Sequence, residues 1–324
     1  MAFDADGSRF LLYAKSRGVD FSRTAMIGRH RLWLDPQVRE NLADALGRNL
    51  ADFGYRNVEI SSLLREANGY AEPFLRLLGC TEACSFDASS YEQATHIHDF
   101  NFPIHPQFHG RFTAVIDGGT LEHIFNFPVA IRNCMEMLTV GGYFLGITPA
   151  NNACGHGFYQ FSPELYFRVF SEENGFRIDR ILACETKRTG KNSWFVVADP
   201  LQLREMVTLV NRRETYLLVI AQRTGREAIF AKPAQQSIYT EVMWKADGRP
   251  GPAEATSRPR RPLRQYVPGP LKMPVRIARR AVRQAAGVYR RFFFPFDPRY
   301  FTRLDEGENR WQISADGCKG CNRS

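Results

Sequence analysis

Gly28, Asp87, Asp99, the run Asp117-Gly118-Gly119-Thr120 and the run Pro149-Ala150-Asn151-Asn152 each follow an apolar stretch of the chain. Their residue types do distinct chemistry. A carboxylate such as Asp87 can accept from both hydroxyls of a ribose diol, and a second one, Asp99, can accept from an adenine amino group. Glycines such as Gly28, Gly118 and Gly119 let a backbone come close to a ligand. Acidic residues and glycines also end strands without binding anything, so the weight lies in five such clusters in order. His123 and His156 fall on loops beside the later clusters and are candidate bases; a histidine at such a place is also often structural. Glu122 reads as a helix cap or polar contact. Tyr159 and Phe161 would either wall an acceptor pocket or fill an aromatic core. Residues 151–160 hold two Asn, two Gly and a His, and with Asn151, Asn152 and Tyr159 they form the candidate substrate-binding element.

The elements that must position these groups alternate in type. Residues 22–34 read as a strand, a glycine turn and a further extended piece. Pro36 and Gly47 bracket a helix as first residue and stop, and residues 69–79 make another that ends at Gly79. Residues 83–86 and 95–98 are short strands. FTAVID (112–117) is a strand, residues 128–138 carry apolar groups at helical spacing, and YFLGIT (143–148) is a strand again. Strand, helix and strand with short connections make a right-handed unit of a parallel sheet. A Ser-Pro-Glu start opens a helix at 162 that closes on Gly175, and WFVVAD (194–199) and TYLLVIAQR (215–223) are later strands. In an open parallel sheet a ligand sits beyond the C-terminal ends of the strands, where every cluster above falls.

Of the 324 residues, 44% are hydrophobic, enough for one large core. Residues 249–299 hold 13 Lys and Arg against 2 Asp and Glu, a balance of +11, while the whole chain is +9; the remainder stands at −2. A near-neutral body argues against a nucleic-acid surface. The expected layout is a body over 1–230, a Pro/Gly-rich linker over 231–270, and a basic amphipathic helix with a tail over 271–324. That basic helix and FFFPF (292–296) suit peripheral membrane or protein contact through residues 273–296. No run approaches the ~18 apolar residues of a membrane span, and the first residues are polar. The expected location is the cytoplasm, with the inner membrane surface as a further option. Of seven cysteines, five lie in or near apolar segments and suit reduced thiols. Cys318 and Cys321 form a single CxxC pair, too few ligands for a zinc site, and no metal ligands are assigned.

FTAVIDGGTLEHIFNFPVAIRNCMEMLTVGGYFLGITP resembles the fourth-to-fifth-strand region of class I S-adenosylmethionine-dependent methyltransferases, with a strand ending in Asp, an LEH turn, a helix and a GG before the next strand. FDASSYEQATHIHDFN resembles their second and third strand ends, and HGFYQFSPELYFRVFSEENGF the helix that ends in GF. The resemblance covers residues 80–180 well and the rest of 20–225 loosely. It implies an α/β, Rossmann-like fold with a mostly parallel central sheet, flanking helices and here a basic helical C-terminal extension. It implies S-adenosylmethionine as cofactor, bound by Gly28, Asp87, Asp99, Asp117, Gly118 and Gly119, and methyl transfer to a small-molecule or glycan-type acceptor, with His123 or His156 as base. The family's glycine-rich turn after the first strand is not present as such, since Gly28 stands alone in MIGRHR. That departure keeps a second reading in view, a binding or scaffold protein that retains the fold without catalysis.

Overall fold

A computed structural model of the chain describes residues 2–32, 42–186, 192–239 and 296–304. Of the linker expected over 231–270, residues 231–239 are described, and there Ser237 is buried and donates its N–H to Glu164 Oε1 at 2.7 Å, so the start of that segment packs on the body. Residues 240–270, the basic helix over 273–291, the Pro36 helix start and the Cys318/Cys321 pair lie outside the described residues.

Among the described residues, eleven strands and seven α-helices follow in chain order: β1 Ala2–Phe3, α1 Ala5–Ser16, β2 Arg23–Ile27, β3 Arg31–Leu32, α2 Leu42–Asp52, α3 Ile60–Arg65, α4 Glu72–Leu77, β4 Glu82–Asp87, β5 His96–Ile97, β6 Phe112–Asp117, α5 Phe127–Met137, β7 Leu138–Asn151, α6 Pro163–Val169, β8 Phe176–Glu185, β9 Trp194–Val197, α7 Pro200–Leu203, β10 Thr215–Arg223 and β11 Phe301–Arg303. Nine strands form one sheet in the order β11-β9-β8-β10-β7-β6-β2-β4-β5, and β1 pairs with β3 apart from it. Strands β5, β4, β2, β6 and β7 are mutually parallel. Strand β10 runs antiparallel between β7 and β8. The order β5-β4-β2-β6-β7-β10-β8, parallel but for the reversed β10, is that of the class I methyltransferase fold, and here β9, also reversed, and β11 extend the sheet beyond β8.

Alternation along the strands divides the core in two, because successive side chains leave opposite faces of a sheet. Leu217, Val219 and Ala221 join Val115, Ile181 and Ala183 on one face, under Ile131 and Met135 of α5 and Tyr166 of α6. Leu218 and Ile220 join Ile116 and Leu182 on the other, under Leu11 of α1 and Leu46 of α2. The result is a sheet covered by helices on both sides.

Several expectations meet differences with local causes. The helix expected to stop at Gly47 runs through it to Asp52. Leu42, Leu46 and Leu50 continue one buried stripe across the glycine, and Asn49 Nδ2 donates to Ala5 O of α1 at 2.8 Å. Tertiary burial outweighs the roughly 1 kcal/mol helix cost of glycine. The helix expected over 69–79 is confined to α4, and Gly69, with φ +79°, ends the 3-10 turn before it. Strand β7 is longer than residues 143–148 because it begins at Leu138, before the two glycines. The β6–β7 register shifts between Phe112 and Ala114. A Cβ on Gly142 would meet Phe112 O and Thr113 O at 3.0–3.1 Å, so glycine is needed where this bulge brings the backbones together. Helix α6 ends at Val169, and Gly175, left-handed at φ +71°, closes a separate 3-10 turn. Helix α1 and strand β8 were not anticipated, and Cys154 is exposed while Cys80, Cys84, Cys134 and Cys184 are buried thiols. Residues 296–304 return to the sheet: β11 pairs with β9, and Phe296 stacks on Phe195 at 4.0 Å. No helix among the described residues is long and apolar enough to cross a membrane.

Candidate active site

The polar edge is assembled by backbone contacts between strand ends. Gly28, with φ +80°, follows β2 and donates its N–H to Phe86 O at 2.7 Å, which sets it beside Asp87 at the end of β4. Thr120 donates its hydroxyl to Ile27 O, which ties the turn after β6 to the end of β2. Asp87, Gly28 and Asp117–Thr120 therefore line neighbouring strand ends. Asp87 is half-buried and accepts from Ser89 N at 3.0 Å through Oδ1. Asp99 is exposed and its Oδ1 accepts from Asn101 N and Nδ2 at 2.9 and 2.8 Å; Asn101 in turn bonds Asn126 at the start of α5.

Asp117 builds the turn that carries LEH. Its Oδ1 accepts from Thr120 N at 2.9 Å and Leu121 N at 3.2 Å, and Gly119 supplies the φ of +95° the turn needs. Its Oδ2 is buried with no hydrogen-bond partner among the described residues. Burial, reinforced by the charge of Glu122, holds this carboxyl well above the usual carboxylate range. Gly118 serves a different purpose from close ligand approach. A Cβ there would lie 2.7 Å from Phe3 and 2.9 Å from the His30 ring. Both side chains are fully buried, their rings 4.7 Å apart, and Gly118 N donates to His30 Nε2 at 3.2 Å. The N-terminal strand and His30 thus fill the space beside Gly118. Phe3 carried no functional signal in the sequence, and His30 belonged to the polar run Gly28-Arg29-His30 after the first strand, with no local feature that announces this contact.

The LEH turn and residues 152–160 meet at Glu122. Its side chain is wholly buried, and its Oε1 lies 3.2 Å from Nε2 of exposed His156. Burial pushes the Glu122 carboxyl up to about 7. The His123 ring stands 5.0 Å from that of His156. Burial, and then the neighbouring His156, lower its pKa below the ordinary histidine value, so it is neutral at pH 7. The loop is docked on the Glu122 backbone: Phe158 N and Tyr159 N both donate to Glu122 O, at 2.8 and 3.2 Å. Gly157, at φ +71°, passes so close that a Cβ would lie 2.7 Å from Glu122 O. Tyr159 donates its hydroxyl to Phe125 O at 2.6 Å. Phe125 and Phe158, exposed by 72% and 67%, form an edge-to-face pair beside it, with centroids 5.9 Å apart. Phe161 packs into the core on Phe127 at 4.6 Å.

The structure thus unites His123, His156, Glu122 and Tyr159 into one cluster next to Asp117 and Gly119. Asn151 and Asn152 turn elsewhere: both side-chain amides donate to Asn211 Oδ1 at 2.8 Å, and Asn152 also donates to Arg213 O, so they fasten the end of β7 to the loop before β10. In the sequence Glu122 reads only as a cap or polar contact; the signal was present in the adjacent His123, but the partner His156 lies 34 positions from Glu122. A cavity of about 470 Å³ lies at the opposite end of the sheet, around the start of β7, lined by His109, Arg132, Glu136 and Arg223 among others. Arg223 is spent there on the last carbonyls of α5 and on Leu138 O, at 2.6 Å for the latter.

No protein-family model matches the chain, and no curated protein matches it. Among solved structures it is similar to the CMeT domain of citrinin polyketide synthase, at 13% identity and a TM-score of 0.33, covering 63% of this chain and 47% of that one. It is similar to the trans-methyltransferase CalH in complex with S-adenosylhomocysteine, at 11% and 0.34, covering 66% and 55%. It is similar to the N-methyltransferase NodS from Bradyrhizobium japonicum, also with S-adenosylhomocysteine, at 12% and 0.33, covering 66% and 85%. The chain spans about half the length of the first two. With likenesses this distant, the fold rests on the strand order itself.

Proposed function

We propose that the protein transfers a methyl group from S-adenosylmethionine to a small-molecule acceptor held beside the Glu122–His123–His156 cluster. The observation that carries this reading is the juxtaposition, at one sheet edge, of the Asp87–Gly28 strand ends with that cluster. The nucleoside half of the cofactor fits the edge: Asp87 engages only Oδ1 among the described residues, which leaves acceptor capacity for a ribose diol. Asp99 is exposed at the next strand end for the base. When bound, S-adenosylmethionine supplies a methyl carbon on a positively charged sulfur, which keeps the C–S electron pair as the acceptor's lone pair forms the new bond.

The chain's own task is positioning, which supplies much of the rate in such a displacement. The exposed Phe125–Phe158 pair, its rings edge to face, and Tyr159 offer an aromatic surface, which favours an acceptor with a ring or apolar face over an extended glycan. Neutral His123 can take a proton from an acceptor hydroxyl or ammonium. Titration calorimetry with S-adenosylhomocysteine and S-adenosylmethionine tests the reading. Binding is expected, with a loss of tenfold or more in Asp87→Ala; absence of binding at millimolar ligand would overturn it in favour of a non-catalytic binding protein.

A further inference from the structure

We infer that Glu122, His123 and His156 form a binding site for one divalent first-row transition metal ion. Each offers one donor atom, and the three donors lie within 4.8 Å of one another. Two ligands held ~2.1 Å from a tetrahedral ion stand about 3.4 Å apart. Glu122 Oε1 and His156 Nε2, at 3.2 Å, already have that spacing. A movement of about 1.4 Å at most draws in the third, and both histidines are exposed enough to make it.

A second observation concerns the carboxylate. Glu122 is fully buried, yet its Oε2 has no hydrogen-bond partner among the described residues. An uncompensated buried carboxylate is costly, and the half-exposed His156 engages only one of its oxygens. A bound cation would compensate the charge. The backbone holds Glu122 firmly for that task, with two amides of the 152–160 loop donating to its carbonyl and Gly157 packed against it.

Two imidazoles and one carboxylate are the donors of borderline ions such as Zn²⁺, Fe²⁺ or Co²⁺, not of Mg²⁺ or Ca²⁺, which take oxygen ligands. Three protein ligands leave open positions beside the Phe125–Phe158 pair. An ion there would lower the pKa of an acceptor hydroxyl, whose proton then passes to solvent. The imidazoles would then hold the ion instead of serving as the base. This use of the site rests on the methyl-transfer reading; ion binding does not.

The test uses the full chain carrying Cys318→Ser and Cys321→Ser, which removes the other soft ligand pair, after treatment with a chelator. Cobalt(II) is titrated and followed by its visible absorption, with Zn²⁺ and Mg²⁺ as competitors. One Co²⁺ per chain is expected, displaced by Zn²⁺ and not by Mg²⁺, and binding should weaken by about tenfold or more in His123→Ala and in His156→Ala. Both side chains are exposed, so these variants should fold, as circular dichroism would verify. No Co²⁺ uptake, or uptake indifferent to both substitutions, would overturn the site. S-adenosylhomocysteine titrated into the same metal-free chain separates the two ideas. If it binds while cobalt does not, only the ion site falls; if cobalt binds while it does not, only the cofactor reading falls.

Discussion

His30 is the residue whose protonation the fold resists most plainly. Its Nε2 accepts from Gly118 N, so the neutral ring carries its proton on Nδ1, and burial lowers its pKa to about 3. The unfolded chain takes up a proton near 6.5, while the folded chain refuses it until about 3. Unfolding therefore gains protons in that window, and this contribution to stability is lost as pH falls from about 6.5 towards 3. Asp6 and Glu122, both raised by burial, run the other way, so the comparison must be with His30→Gln. Between pH 7 and pH 5, urea unfolding should cost wild type about 2 kcal/mol more of its stability than His30→Gln. Parallel pH profiles would contradict this account of the ring. Gly118→Ala belongs with it: the added methyl meets Phe3 and His30 at under 3.0 Å, and a destabilisation of about 1–3 kcal/mol is expected by the same measurement.

At the level of elements, two loops make the site and one glycine joins them. The turn after β6 is shaped by Asp117 and Gly119, and the loop after β7 lies across it through Gly157. In Gly157→Ala the side chain would stand 2.7 Å from Glu122 O in a left-handed backbone, so the loop must lift. We expect a stability loss of about 1–3 kcal/mol and local hydrogen-exchange deprotection of Phe158 and Tyr159, whose amides donate to Glu122 O. Unchanged exchange at those two amides would show that the loop does not depend on this contact. The predicted elements near the site were close to those observed, with β6 and β10 matching residue for residue. Helix α1 was missed because its sequence begins Ala-Asp-Gly-Ser-Arg, polar residues that look exposed. Gly7, Ser8 and Arg9 are buried all the same, with Asp4 capping Gly7 N at 2.8 Å and Arg9 donating to Asn192 O at 3.0 Å. Strand β8 was missed because Arg180 breaks the alternation begun by Phe176 and Ile178, at the point where its register with β10 shifts; Asp179 pairs with Arg17, the residue after α1, at 3.0 Å.

Across the whole molecule, charge and sheet closure are separate properties of the C-terminal region. The basic helix and FFFPF over 273–296 read as a contact surface in the sequence, whereas Phe296 at the end of that stretch packs on Phe195 and residues 296–304 complete the sheet edge. Phe301 is buried, and its ring meets Phe296 at 5.2 Å. Phe301→Ala should therefore lower stability by about 2–4 kcal/mol in thermal or urea unfolding, an effect a detached tail would not have. By itself the sequence determined the strand–helix alternation, the acidic and glycine residues at strand ends, and the two histidines on ligand-side loops. These are local: each depends on periodicity or on a turn within a few residues. Only the tertiary structure decided that Asn151 and Asn152 serve a loop anchor, that Gly118 makes room for Phe3 and His30, and that Glu122, a cap or polar contact in the sequence, is the buried centre between His123 and His156. Those outcomes depend on which strand ends become neighbours. Contacts that close 34 or 88 positions of chain, such as Glu122–His156 and His30–Gly118, leave no periodic trace to read.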